Sequence, residues 1–63
     1  MPHSYLLELL YQDGRVDTRP SGPYRGSVPF EIGARVEVDG LWWTVLDKDA
    51  AAGYDAKFVL DEE

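Results

Sequence analysis

The residues able to do chemistry are few and scattered. His3 is the single histidine of the 63-residue chain and there is no cysteine, so no spacing pairs an imidazole with a nucleophile or a thiolate with a second metal ligand. Asp47, Asp49 and Asp55 bracket a short stretch and carry oxygen ligands that suit calcium, but the other positions of a calcium loop and its closing glutamate are missing. A pair of tuned carboxylates for glycoside hydrolysis needs a substrate cleft, which a domain of this length has little room to form. Gly22, Gly26 and Gly33 match neither a phosphate loop nor a dinucleotide fingerprint. The reading is therefore noncatalytic, with no catalytic residue, no metal and no cofactor.

The elements that must position any other kind of site come from one short chain. Sixty-three residues make a single domain, and a domain this small buries only about 60% of the surface its unfolded chain exposes. Without cysteine the core alone must hold it. Eight aromatic residues serve that purpose: Tyr5, Tyr11, Tyr24, Phe30, Trp42, Trp43, Tyr54 and Phe58.

The clearest periodic signal is the run from Ile32 to Leu46. Ile32, Ala34, Val36 and Val38 alternate with Gly33, Arg35, Glu37 and Asp39, the period of a strand with one face in a core. Asp39–Gly40 is the pair that tolerates positive φ at both central positions of a two-residue hairpin turn. In the return strand Leu41, Trp43 and Val45 share one face and Trp42, Thr44 and Leu46 the other; with Trp43 and Val45 in the core beside Val36 and Val38, Trp42 is left on the outer face. Trp42 is either covered by the N-terminal segment or a loop, or it forms a contact surface.

Residues 4 to 12 fit both a strand, with Tyr5, Leu7, Leu9 and Tyr11 on one face, and a helix with a Leu6, Leu9, Leu10 stripe. Asp13–Gly14 and the alternating Arg15 to Arg19 favour the strand and a second hairpin, with this strand placed to cover Trp42. Residues 20 to 29, with three prolines and two glycines, read as a long loop that presents Tyr24 and Arg25 as a contact pair; the alternative is that the tyrosine folds back on the core. Phe30 and Ile32 keep the core parity of the central strand. Residues 47 to 53, with an aspartate cap, three alanines and a glycine, read as one helical or 3₁₀ turn. The last strand, 54 to 60, puts Tyr54, Ala56, Phe58 and Leu60 on the core side, and Asp61, Glu62 and Glu63 form a solvated acidic end.

The fold expected is all-β: five short strands in a small barrel or a strongly twisted antiparallel meander, with one short turn of helix before the last strand. The adjacent Trp42 and Trp43 at the start of a strand, the Asp39–Gly40 hairpin and the early loop resemble small SH3-like barrels over about residues 34 to 60. That resemblance is architectural, because the Ala-Leu-Tyr-Asp-Tyr and Pro-x-Asn-Tyr motifs of SH3 domains are missing. It implies that Trp42 faces a ligand, with Tyr24 and Tyr54 as neighbours.

Twelve acidic residues against six basic ones give a net charge of −6. Such a balance repels phosphate backbones, and it fits either a basic protein partner or, as is commoner, solubility alone. Tyr5 to Tyr11, interrupted by Glu8, is too short and polar for a signal peptide or membrane span, so a cytoplasmic location is the expectation. The leading function class is a protein-interaction module with Trp42, Tyr24, Arg25 and Tyr54 as binding residues. A homodimer that buries Trp42 is a second reading. A third is an acidic nucleic-acid mimic that sets Glu37 and Asp39 on one outer face.

Overall fold

A computed structural model describes residues 3–26, 28 and 30–63. The chain forms five strands, β1 (His3–Leu10), β2 (Val16–Tyr24), β3 (Arg35–Val38), β4 (Leu41–Ala51) and β5 (Tyr54–Glu62). They make one five-stranded, strongly curled half-barrel sheet in the order β2-β1-β5-β4-β3. The architecture is all-β and compatible with a small SH3-like barrel. Every neighbouring pair is antiparallel except β1 and β5, which run parallel with Leu7 beside Phe58 and Leu9 beside Leu60.

The local chemistry of the hairpins follows from their turns. Asp39 and Gly40 sit at φ 55° and 78°, the two positive values that a two-residue hairpin turn requires. Val38 therefore lies opposite Leu41, Val36 opposite Trp43, and Glu37 opposite Trp42. The segment whose periodicity fits both templates is a strand, β1, because the turn at Tyr11 to Gly14 folds β2 back along it; the Gly14 N–H donates to the Tyr11 carbonyl at 3.0 Å.

The concave face carries the core. Leu7 and Leu9 of β1, Ala56, Phe58 and Leu60 of β5, Trp43 and Val45 of β4 and Val36 of β3 are buried, and Phe30 closes over them from the connection between β2 and β3. Aromatic edges fill the open end: Phe30 lies 5.1 Å from Phe58 and Tyr5 5.3 Å from Phe58, centroid to centroid. Arg19 of β2 reaches across the mouth of the half-barrel to Asp39 in the β3–β4 turn, so the curl is tied by an ion pair at its open side.

Four expectations are corrected. Ile32 does not join the core but is 66% exposed, because β3 begins only at Arg35 and a turn interrupts the parity before it. In that turn the Ala34 N–H donates to the Glu31 carbonyl, the Gly33 N–H donates to Val45, and Gly33 adopts φ +88°. Residues 47 to 51 continue β4, and Ala52–Gly53 turns directly into β5; no helix occurs among the described residues. A bulge at Leu46, between the Val45–Leu60 and Asp47–Val59 pairs, shifts the register so that the strand continues, and an isolated helical turn fixes several dihedrals for very few bonds.

The expected loop from residue 20 is strand as far as Tyr24. Pro20 and Pro23 are tolerated because β2 is an edge strand. Ser27 and Pro29 of that stretch lie outside the described residues, as do Met1 and Pro2. Finally, β1 does not cover Trp42, since β5 separates it from β4 in the sheet.

Candidate functional site

Alternation along β4 sends its two tryptophans to opposite faces. Trp43 is 1% exposed, its indole N–H donating to the Val38 carbonyl at 3.1 Å and its ring met edge-on by Tyr11 at 5.1 Å. Trp42, one residue earlier, is 47% exposed on the convex face. The Arg35 guanidinium lies over the Trp42 ring at 4.9 Å. That guanidinium is itself fixed, its Nε–H donating to the two Glu63 carboxylate oxygens at 2.9 and 2.8 Å. Thr44 also donates to Glu63, at 3.1 Å, and the Glu63 N–H donates to the Trp42 carbonyl at 3.0 Å.

The hydrogen bonds from Arg35 hold the Glu63 carboxyl below the usual carboxylate range, and Glu63 in turn raises Arg35. The last residue of the acidic stretch is thus part of a clamp that orients Arg35 against Trp42.

The exposed apolar surface is unevenly distributed. Of the five large apolar residues that are exposed among those described, Ile32, Leu41, Trp42 and Leu46 lie on β4 or in the turn leading to β3, and Val16 alone lies on β2. Asp13, Asp17 and Asp39 are paired with arginines, and Glu8 with Lys57. Glu31, Glu37, Asp47, Asp49 and Asp61 have no ion pair among the described residues, and they cluster on the β3–β4–β5 side: Glu37 opposite Trp42, Asp61 opposite Thr44, Asp47 and Asp49 farther along β4. Trp42 thus stands beside unpaired carboxylates, while Ile32, Leu41 and Leu46 are spread along β4 and the turn before β3.

The other three candidate residues are not gathered around Trp42. Tyr24 lies opposite His3 and packs on the core, with ring centroids 6.0 Å from Tyr5 and 6.1 Å from Phe30 and its hydroxyl against that of Ser21. Arg25 follows it and is exposed. Tyr54 is half-buried at the start of β5, opposite Ala51. Trp42 and Trp43 lie by Glu62 at the far end of β5, roughly 25 Å from Tyr54 at about 3.3 Å per residue. The sheet places Tyr24 and Tyr54 at one end and Trp42 at the other.

Asp39, expected beside Glu37 on the outer face, is a turn residue whose carboxylate turns to Arg19. The oxygens of Asp47, Asp49 and Asp55 do not converge: the first two lie on β4, while Asp55 accepts the Ser4 N–H at 2.9 Å. Among the described residues no group of three metal-ligating side chains occurs.

Sequence reasoning missed Ile32 and Leu41 as surface residues, while parity put Leu46 on the outer face with Trp42, and it missed Arg35 and Glu63 as the support of Trp42. For Arg35 a signal exists, since it shares the outer parity of Glu37 and sits diagonal to Trp42, within reach of a long side chain. For Glu63 none does, because its partner is set by the β4–β5 register. No known protein family, curated protein or solved structure matches this chain.

Proposed function

We propose that this chain is a small noncatalytic protein-interaction module that presents the outer face of the β3–β4 hairpin to a basic protein partner. The observation that carries the reading is Trp42: a large aromatic, half in solvent, on a backbone fixed by hairpin pairing on both sides, with its ring oriented by Arg35. Rigid tryptophans supported in this way are the usual anchors of protein interfaces, because they bring contact area with little loss of side-chain freedom. Glu37 opposite Trp42 and Asp61 opposite Thr44, both without an ion pair among the described residues, supply a field that attracts and orients a cationic surface. The likeness to small SH3-like barrels supports the same residue, because the first of their paired tryptophans faces the ligand.

The test is binding of wild type and Trp42→Ala to a partner captured from the native host and then purified. The account expects the substitution to weaken binding by at least about 2 kcal/mol, roughly thirtyfold in Kd, while circular dichroism and thermal melting stay close to wild type. Equal affinity in a folded variant would remove Trp42 from the interface.

A further inference from the structure

A sheet with two ends has two edges to protect, and this one treats them differently. The β2 edge carries Pro20 and Pro23, which offer no N–H, and Arg19 bridges from it to Asp39. The β3 edge carries no proline, and the Arg19–Asp39 bridge reaches only the turn at its end. The Val45 N–H donates to the Ala34 carbonyl, so Ala34, Val36 and Val38 turn their backbone groups toward β4. The Trp42 carbonyl, which accepts from Glu63, confirms the alternation from the β5 side. Arg35 and Glu37 consequently direct their N–H and C=O groups outward, away from the sheet. Both residues are exposed, and among the described residues no backbone group is bonded to that edge.

The side chains on this edge are complementary to themselves. In Arg35-Val36-Glu37 a cation and an anion stand two residues apart on the outer face, flanking a core-facing valine. We propose that two copies of the chain pair antiparallel through their β3 edges, about a two-fold axis at Val36, to give one continuous ten-stranded sheet. In that register Arg35 of each copy lies opposite Glu37 of the other, and these are the residues whose backbone groups point outward, so each pair exchanges two hydrogen bonds. The charges are complementary: Glu37 has no ion pair among the described residues, and Arg35, whose guanidinium lies over Trp42 with its Nε–H on Glu63, meets the facing carboxylate by swinging from β4 toward the edge. An edge of four residues makes a small interface, so the dimer is a weak one that forms at high protein concentration. The outer face that holds Trp42 stays open in it; because Arg35 and Glu37 also border Trp42, association is measured on the chain alone, without the partner proposed above.

Sedimentation equilibrium of the full chain, up to millimolar loading, tests the proposal with wild type, Glu37→Arg, Arg35→Glu and an equimolar mixture of the two variants. Each variant alone sets like charges opposite one another in the dimer; the mixture restores opposite charges at every pair. The expected result is a reversible dimer for wild type, at least tenfold weaker association for either variant alone, and recovery in the mixture. Circular dichroism confirms folding, and amide exchange at Arg35 and Glu37 should slow as wild-type concentration rises. A wild type that stays monomeric throughout, or Glu37→Arg associating as well as wild type, would overturn edge pairing.

Discussion

Replacing Trp43 by alanine leaves little folded protein at ambient temperature. The side chain is the largest in the core, almost wholly removed from water, and touches both halves of the sheet through Tyr11 and Val38. Truncating a buried aromatic costs about 3–5 kcal/mol, as lost transfer energy and as a cavity the neighbours fill only in part. A domain of this length has a total margin of roughly 3–9 kcal/mol at about 0.05–0.15 kcal/mol per residue. The loss therefore consumes most of that margin, and the Val38 carbonyl also loses its indole donor. Urea unfolding followed by far-ultraviolet circular dichroism checks this. A cooperative transition at the wild-type midpoint would show that Trp43 does not fill the core.

The second large effect falls on Gly22. Its φ of +124° lies in a region that side-chain-bearing residues rarely enter. A Cβ there would sit 2.8 Å from the His3 carbonyl oxygen and 3.2 Å from the Ser4 Cα, both backbone atoms that cannot rotate away. Gly22→Ala combines a strained dihedral with a forced separation of β1 and β2, and a loss on the order of 3 kcal/mol is expected. By contrast, a Cβ at Gly14 meets nothing within 4 Å, so Gly14→Ala carries only the dihedral penalty of its φ of +92°. Comparing the two variants in one urea series separates crowding from dihedral strain. Equal destabilisation would mean that the close approach of Gly22 to β1 has no energetic weight.

Where neighbouring side chains alternate between core and water, the sequence was a sufficient guide. The Asp39–Gly40 turn, the opposed directions of Trp42 and Trp43, and the core face of β5 all follow from period-two parity and one pair of turn residues. Parity fails where a local irregularity resets it. Ile32 obeys the alternation on paper, yet the turn at Glu31 to Ala34 breaks the strand before the pattern reaches it.

At Leu46 the opposite happens: a bulge lets the strand run on through an alanine-rich stretch whose composition favours a helix. Pro20 to Tyr24 misleads for a third reason, since an edge strand needs only half of its backbone groups and so accepts loop-like residues. The direction of Trp42 was legible in the sequence, but not what holds its ring in place. Its support by Arg35 and Glu63 depends on a register between strands 28 residues apart in sequence, which no local pattern encodes.

The tandem tryptophans divide their work: Trp43 holds the fold, and Trp42, on the function proposed above, meets a partner. Acrylamide quenching of tryptophan fluorescence in wild type and in Trp42→Phe tests it most directly. Wild type should contain one readily quenched tryptophan, and in Trp42→Phe the remaining emission should be blue-shifted and shielded. A variant whose remaining tryptophan is quenched as readily as the wild-type protein would place Trp43 in solvent and contradict the assignment on which both fold and function rest.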